Sequence, residues 1–492
     1  MERVSQQAAD YAIRQLMSRA GADPAAWPSP VVYGQPGPQP GVYVVPCAGA
    51  AWDALLQREP MSLDWRPSAA TVPPSYALPF DDPIPVLFWG EGCEAGNHPF
   101  AEKRKDGTVV FYADVVAATL FMLTRWEESV VATRDEHGRF PAAASVAYRQ
   151  GFLDRPVVDE HAMILRAWLQ ALRPTWQPEW PRFQVQLSHD VDTLRPFDGL
   201  TAALRTFGNA LLTRRSVRQA GQVGRDFLWQ LLAPTRTTTI QSIYTLADLS
   251  ARYGLDSAFY WMAAAPSDYD EGYDVTSPLA QTVLRPLRQR GLEIGFHPGY
   301  DTLCDPDRLA REKARLESAL KVAGGQPSAV SLGGRQHYLR FEAPTTWRHW
   351  EQVGLVYDST LTYPEQEGFR CGTCHPFRPF DLEQNRELAL WERPLIVMDR
   401  TLQNYRQLTP EAAEARILTL AGRCQRVGGV FTLLWHNERW DERKRPWWAM
   451  YRRVVGALAQ MVNREPQAVG HVFNLTGSDR GGVKLKAWPT DN

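Results

Sequence analysis

Residues 183–192, FQVQLSHDVD, decide the fold class of this chain. Phe183, Val185 and Leu187 alternate with polar residues, a period of two that predicts a half-buried strand ending in a polar cluster. Six further strand-like runs follow, separated by helical patterns: SAFYWM (257–262), LEIGFHPGYD (292–301), SAVSLGGRQHY (328–338), GLVYDST (354–360), PLIVMDRT (394–401) and GVFTLLWHNE (429–438). Because repeated helix–strand units favour parallel strands, the sequence predicts an α/β fold, either a barrel or an open doubly wound sheet.

Composition and charge narrow the class of protein. Hydrophobic residues make up 44% and charged residues 22% of the 492 residues, as in a globular chain of two or three domains. A formal charge of −1 gives no overall attraction to nucleic acid. The opening residues 1–20 have scattered charges, as an amphipathic helix does and a secretory signal does not, so we expect a cytoplasmic protein without a transmembrane span. Its six cysteines are then expected to be reduced thiols.

A Trp/Pro-rich segment, RPTWQPEWPRF (173–183), divides the chain. Its prolines make a continuous helix or a central strand there implausible. We therefore expect a smaller N-terminal α+β accessory domain (1–175), a linker (176–182), a main domain (183–475) and a C-terminal tail (476–492).

Polar residues follow several of the predicted strands. The carboxyl ends of parallel strands meet at one edge of a sheet, so these residues are expected to form one site. Asp190 and Asp192 are two apart and share a side of the strand end, whereas His297 and Asp301 are four apart. An aspartate with a histidine and a second aspartate suits zinc, cobalt, manganese or iron, with positions left open for water and substrate. The full set is Asp190, Asp192, His297, Asp301, Arg335, His337 and His436.

The order of these motifs resembles that of the metal-dependent polysaccharide deacetylases of the carbohydrate esterase family 4 type. The resemblance runs from about residue 183 to about residue 475 and implies a distorted (β/α)7-type barrel. It also implies catalytic and metal-binding roles. These are Asp190 as general base, Asp192 and His297 as metal ligands, Arg335 as the residue that orients the base, His436 as general acid, and Asp399 as the aspartate of the fourth motif, with Asp358 as second choice.

Two positions depart from the pattern of that family. Val191 separates the base from the metal-binding carboxylate, which are usually adjacent. Asp301 stands where the family has a second metal-binding histidine, so the expected ligands are Asp192, His297 and Asp301, a harder and more anionic set. The resemblance therefore implies one divalent transition metal, zinc first, with cobalt, manganese or iron as alternatives.

The motifs HDVD, GFHPGYDT, GGRQHYLRF, YDST and GFRCGTC, with N-terminal GRF and GFLDRPVVDEH, resemble a cytoplasmic subgroup of this family with an extra N-terminal domain. The loop GFRCGTCHPFRPFD (368–381) contains the CxxCH pattern of c-type haem attachment. We interpret that pattern as incidental, because haem attachment takes place outside the cytoplasm, and we expect the loop to shape the substrate pocket. The expected substrate-binding residues are His337, Tyr338, Arg370 and Trp435.

Two functions stay open. One is a metal-dependent hydrolase that removes an acetyl group from an amino sugar, glycan or glycoconjugate, with a carbohydrate and no nucleic acid as partner. The other is a catalytically inactive glycan-binding or regulatory protein, which Asp301 in place of histidine allows. Residues 204–236, with six arginines and one acid, form either a solvated helical insertion or a peripheral contact with an acidic glycan or a membrane surface.

Overall fold

The computed structural model describes residues 2–463, except 64, 82, 179, 271, 325–331 and 438–443. The predicted tail (476–492) therefore lies outside the described residues, as do parts of the runs at 328–338 and 429–438. Within the described part, the chain is a mixed α/β protein whose larger sheet is parallel. None of the helices described there is both long enough and apolar enough to span a bilayer.

The N-terminal part combines short strands with helices. Strands β1, β2, β6 and β5 form one sheet in that order, in which β5 alone runs antiparallel to its neighbour, and β3 pairs with β4. Asp114 caps α3 by accepting hydrogen bonds from the backbone N–H groups of Val116 and Ala117. The strands are β1 (Val31–Tyr33), β2 (Val42–Val44), β3 (Arg66–Ser68), β4 (Ile84–Val86), β5 (Ala101–Lys103) and β6 (Val109–Phe111); the helices are α1 (Glu2–Arg19), α2 (Gly49–Gln57), α3 (Val115–Leu123), α4 (Trp126–Val130), α5 (Val146–Arg149) and α6 (Val157–Leu172).

The second part is built on a parallel sheet of order β14-β15-β7-β8-β9. Parallel bridges from Phe296 to Gly334 and from Gly334 to Asp358 extend the pairing to β10 and then to β13. No ladder among the described residues joins β13 to β14, so the closed seven-stranded barrel stays a prediction. The strands are β7 (Gln184–Val191), β8 (Asp256–Met262), β9 (Glu293–His297), β10 (Tyr357–Asp358), β11 (Phe380–Asp381), β12 (Arg386–Glu387), β13 (Trp391–Glu392), β14 (Val397–Met398) and β15 (Val430–Leu434).

Helices separate β7, β8, β9 and β10 along the chain and also separate β14 from β15, as the sequence pattern predicts, whereas no helix lies between β10 and β14. Asp305 begins α11 by accepting a hydrogen bond from the Arg308 backbone N–H, a cap worth about 1 kcal/mol. The helices are α7 (Leu200–Gly208), α8 (Val217–Leu232), α9 (Thr238–Tyr253), α10 (Pro278–Gln289), α11 (Pro306–Ala323), α12 (Thr345–Gln352), α13 (Pro410–Arg426) and α14 (Arg445–Val462), and short helical turns occupy Ala142–Ala144, Asn209–Thr213, Pro234–Arg236, Tyr300–Cys304, His337–Leu339 and Thr401–Tyr405.

Strand β7 is central in the sheet because β8 and β15 flank it. Val185, Leu187 and Val191 are buried on its apolar face, which anchors the strand in the core. The parallel register pairs Ser188 with the last residue of β15 and Asp190 with β8. The residues that follow β7, β9 and β15 therefore meet at one edge of the sheet.

The loop at residues 368–381 packs against the N-terminal part and does not line the cleft at the strand ends, which corrects the expectation from the sequence. Its Arg370 is buried and donates two hydrogen bonds to Glu128, at 2.8 and 2.6 Å. Thr373 and the backbone N–H of Cys374 donate to Asp159, at 2.5 and 2.8 Å. These buried contacts join the two parts of the chain.

Candidate active site

Asp190, near the end of β7, is held in one orientation by Arg335. Its Oδ1 accepts a hydrogen bond from Arg335 Nη1 at 2.8 Å. The guanidinium is fully buried and also donates to Ser188 Oγ at 3.0 Å and to the carbonyl oxygen of Ser359 at 2.9 Å. This network leaves Asp190 Oδ2 toward the site, 3.8 Å from His297 Nε2.

Asp192, His297 and His337 bring one ligand atom each to within 4.8 Å of the others. His297 Nδ1 lies 2.6 Å from the Arg335 carbonyl oxygen, and since a carbonyl can only accept, Nδ1 carries the proton. The Nε2 lone pair of the neutral ring then faces Asp192 Oδ1 at 3.4 Å. Neither atom has a hydrogen-bond partner among the described residues. A cation placed between these two acceptor atoms would satisfy both of them.

The charges of this cluster favour a cation as well. Burial by itself would raise the pKa of Asp192, but the nearby His297, His436 and His337 lower it well below the usual range. Burial by itself would lower the pKa of His297, and the carboxylates of Asp190 and Asp192 outweigh it and raise the pKa. Both directions favour an ionised Asp192 carboxylate next to positive charge.

His337 reaches the site from a short segment that passes very close to β9. Its Nδ1 lies 2.7 Å from Asp270 Oδ1, which leaves Nε2 as the atom that faces the cluster. A Cβ on Gly334 would lie 1.8 Å from the Phe296 carbonyl oxygen, so only glycine allows this approach. Gly334 thus serves close packing against β9. The chain turns at Tyr338, whose φ is 59°.

Asp301 does not reach the cluster, which corrects its expected role as a ligand. Its side chain is half exposed and pairs with Arg308 at 2.8 Å. The four-residue spacing from His297 joins side chains only within a helix, whereas His297 ends β9 and Asp301 lies in the short turn after it. His337, expected from the sequence to bind substrate, is the third residue of the cluster.

His436 follows β15 and is held by Asp399, which follows β14. Asp399 Oδ1 lies 2.6 Å from His436 Nδ1, and its Oδ2 accepts from the His436 backbone N–H at 3.0 Å. Burial opposes ionisation of the imidazole, but the Asp399 carboxylate raises the pKa of His436 above its usual value. Its Nε2 lies 4.0 Å from Asp190 Oδ2 and 3.9 Å from Asp192 Oδ2. The site therefore has a nitrogen donor opposite the oriented carboxylate.

Two other polar residues near the strand ends have structural contacts. Asp358, the second choice for the fourth motif, is buried and accepts hydrogen bonds from Thr360. Burial raises its pKa to about 6. His189 lies on the opposite side of β7 from Asp190, and its Nδ1 is 2.8 Å from the Trp435 carbonyl oxygen. Asp399, and not Asp358, is the aspartate that contacts His436.

A cleft of about 820 Å³ is lined by Asp190, Asp192, His297, His337 and His436. One wall is aromatic: Tyr269 stacks on Tyr300 at 4.0 Å, and Tyr338 stands edge-on to both. Arg139, from the N-terminal part, also lines the cleft and donates to the Tyr338 carbonyl oxygen at 3.0 Å. Sequence reasoning missed Arg139, Tyr269 and Asp270 because they come from loops with no strand-end pattern. It also missed Arg400 in the cleft and Tyr300 behind Tyr269, which follow β14 and β9.

Two expected substrate-binding residues lie outside the cleft. Arg370 is buried at the junction with Glu128, because its guanidinium needs a partner charge that only the N-terminal part supplies. Trp435 is buried and stacks on Tyr451 of α14 at 4.4 Å. Both side chains are buried in packing contacts, and neither lines the cleft.

A second group of ligand-type atoms, Asp159, Cys374 and His375, belongs to the junction. Asp159 accepts hydrogen bonds from Arg19, Thr373 and the backbone and thiol of Cys374. His375 Nε2 lies 3.1 Å from the Val427 carbonyl oxygen. Hydrogen bonds within the protein account for these contacts, and none of the six cysteines forms a disulfide.

Residues 63–174 match the model of a protein family of unknown function, DUF7033. The match lies within the stretch predicted as the N-terminal accessory domain, and the description of the family names no activity. No curated protein matches this chain.

Solved structures similar to this chain include the following three, all at low identity. A structure described as a polysaccharide deacetylase from Mycobacterium smegmatis is 18% identical, with 58% of this chain and 87% of that chain covered and a TM-score of 0.37. A family 4 carbohydrate esterase from Streptomyces lividans is 12% identical, with 59% and 96% covered and a TM-score of 0.25. Puue allantoinase is 10% identical, with 58% and 92% covered and a TM-score of 0.34. Polysaccharide deacetylases and family 4 carbohydrate esterases are thus among the structural neighbours of about 58% of the chain.

Proposed function

We propose that this protein is a metal-dependent hydrolase that removes an acyl group, such as acetyl, from an amino sugar, glycan or glycoconjugate. One observation carries the proposal. The Asp192, His297 and His337 ligand atoms converge beside an oriented carboxylate, Asp190, and a carboxylate-bound histidine, His436. Ligands, base and acid are the parts that hydrolysis of an unactivated amide or ester requires.

Asp192, His297 and His337 would hold one divalent ion through one oxygen and two nitrogens. Zinc suits this donor set best, and cobalt, manganese or iron are alternatives. Such an ion, when bound, supplies a Lewis acid for an acyl oxygen and lowers the pKa of a water. The Arg335 carbonyl and Asp270 fix the two rings so that each Nε2 faces the cluster.

Asp190 and His436 divide the proton transfers between them. Asp190 Oδ2, positioned through Arg335, accepts the proton of the attacking water. His436 Nε2 donates a proton to the departing nitrogen or oxygen, while Asp399 holds the ring through Nδ1. A base and an acid placed in this way each contribute about a hundredfold or more to the rate.

The walls of the cleft support a carbohydrate substrate. Tyr269, Tyr338 and the half-exposed Tyr405 present aromatic surface, against which the apolar face of a sugar ring can pack. A cleft of about 820 Å³ is large enough for more than one sugar unit. The expected cytoplasmic location stays a prediction.

The same geometry weakens the alternative of an inactive glycan-binding protein. That alternative depended on Asp301 replacing a ligand, and His337 restores a set with two histidines and one aspartate. Both proton-transfer residues also keep their partners.

Metal analysis of purified variants tests the site. We expect about one transition metal per wild-type chain after dialysis, and loss of the metal in Asp192→Ala and in His337→Ala. Asp301→Ala is the matched control and keeps the metal, because Asp301 pairs with Arg308 outside the cluster. Metal loss in Asp301→Ala, with retention in His337→Ala, would overturn the ligand assignment.

Acetate release then tests the reaction. Wild type loaded with zinc is incubated with N-acetylated and O-acetylated sugar oligomers, and Asp190→Asn is the control that keeps the ligands. Acetate release by wild type that falls about a hundredfold in Asp190→Asn supports the proposal. Equal rates in the two proteins would refute the assignment of the base.

A further inference from the structure

Residues 198–236 form a helical hairpin inserted between β7 and α9. It consists of α7, the turn Asn209–Thr213 and α8. Of the fifteen large hydrophobic side chains that are exposed in the described part of the chain, nine lie in this hairpin. They are Leu200, Leu204, Phe207, Leu211, Leu212, Val217, Leu228, Leu231 and Leu232.

The exposed apolar residues lie in stripes along the two helices. On α7 and the following turn, Leu200, Leu204, Phe207 and Leu211 have the spacing of one helix face. On α8, Leu228, Leu231 and Leu232 do the same. A Cβ on Gly224 would lie 3.8 Å from the Phe207 ring, so the stripes of the two helices adjoin. A contiguous exposed apolar surface of this kind marks an interaction site and not ordinary surface.

The charges on the hairpin are almost all positive. Residues 198–236 contain six arginines and two aspartates, in a chain whose overall charge is −1. Asp198 is exposed at the start of the hairpin, whereas Asp226 is buried and its Oδ2 accepts a hydrogen bond from Thr238 Oγ1 at 2.7 Å. Solvent therefore meets an apolar surface bordered by arginines, such as the exposed Arg205 and Arg225. This is the pattern of a helix that lies in the interface of an anionic membrane.

The hairpin starts at the mouth of the catalytic cleft. Asp192 and Asp198 both line the cleft, and α7 begins two residues after Asp198. Tyr269 and Tyr405, which also line the cleft, are nearly half exposed. A surface that binds the hairpin would therefore lie next to the opening of the cleft.

We infer that the hairpin docks this protein on the surface of an anionic lipid bilayer. The leucine stripes enter the boundary between headgroups and acyl chains, and the arginines contact lipid phosphates. A second copy of the hairpin is a poorer partner, because two strongly positive surfaces repel each other. A soluble acidic glycan would pair with the arginines but leave the leucines in water. The inference does not depend on the proposed function, because docking requires no catalysis.

Vesicle sedimentation with the full chain tests the inference. We expect binding to vesicles of phosphatidylcholine mixed with phosphatidylglycerol, and much weaker binding to phosphatidylcholine alone. Leu212→Glu/Leu231→Glu, at positions 83% and 63% exposed, should lower the partition coefficient at least about tenfold. Arg205→Gln/Arg225→Gln should lower it about tenfold on the anionic vesicles only. Val322→Glu is the control, since Val322 is 65% exposed on α11, outside the hairpin, and should change nothing.

Three results would overturn the inference. They are no binding of wild type to anionic vesicles at low salt, unchanged binding in the double leucine variant, and an equal loss in Val322→Glu. Light scattering after size-exclusion chromatography adds a direct check. Dimers that the leucine variant abolishes, without vesicle binding, would assign the surface to a second copy of the chain.

Discussion

Gly334→Ala tests whether the close approach of two strands builds the site. The added Cβ would lie 1.8 Å from the Phe296 carbonyl oxygen, and Cβ atoms are essentially never found under 3.0 Å, so the backbone must separate by about 1.2 Å. Phe296 precedes His297, and Gly334 precedes Arg335. The substitution therefore moves a metal ligand away from the residue that orients the base.

The expected loss follows from the distances. The hydrogen bond from Arg335 to Asp190 is 2.8 Å long, and a further 1.2 Å takes it beyond hydrogen-bonding range. A buried ion pair separated in this way costs about 3–5 kcal/mol of unfolding free energy. A misplacement of about 1 Å in a catalytic group costs about a hundredfold in rate.

Gly422→Ala is the matched control, because Gly422 lies in α13 and a Cβ there meets nothing within 4 Å. Alanine in a helix should raise the unfolding free energy by up to about 1 kcal/mol. The assays are the urea midpoint and zinc affinity measured against a coloured chelator. If Gly334→Ala matched Gly422→Ala in both, the reasoning from close approach would be wrong.

Three further predictions concern other parts of the molecule. Asp399→Asn should slow acetate release about a hundredfold with metal content unchanged, because Asp399 holds His436 and is not a ligand; metal loss would contradict this. Burial raises the pKa of Glu127 from 4.5 to about 7, so the folded state binds its proton more tightly than the unfolded state does. Wild type should therefore lose up to about 3 kcal/mol relative to Glu127→Gln as the pH rises from about 4.5 to about 8, and urea midpoints that run parallel over that range would refute it. Arg370→Met should cost about 3 kcal/mol by removing one of the two arginines, Arg370 and Arg125, that pair with buried Glu128, and Glu128→Leu should cost more because both guanidiniums then lose their carboxylate; an Arg370→Met urea midpoint equal to that of wild type would contradict the junction.

The sequence by itself was enough to predict that titratable residues at several strand ends come together at one edge of the sheet. The period of two in residues 183–192 predicts the strand that became β7, and the alternation of strands and helices predicts parallel pairing. Since parallel strands end at one edge, Asp190, His297 and His436 could be expected near one another without coordinates. The Nε2 atoms of His297 and His436 lie 3.8 and 4.0 Å from Asp190 Oδ2.

Residue spacing alone could not predict side-chain positions that depend on local backbone geometry. Asp301 looked like a partner of His297 because four residues make one helical turn, yet β9 ends at His297 and the chain turns away. Trp435 is adjacent to His436 in sequence, but successive residues of an extended chain point to opposite sides, so it faces α14.

Only the tertiary structure decided which distant segments complete the site. His337 joins Asp192 and His297 because Gly334 lets its segment pass close to β9, and Asp270 orients its ring from another loop. Arg370 pairs with Glu128, more than 200 residues away in the chain. A spacing pattern encodes neighbours within one strand or helix. Contacts between segments depend instead on how closely backbones pack and on which buried charge finds a partner, and these are properties of the folded chain.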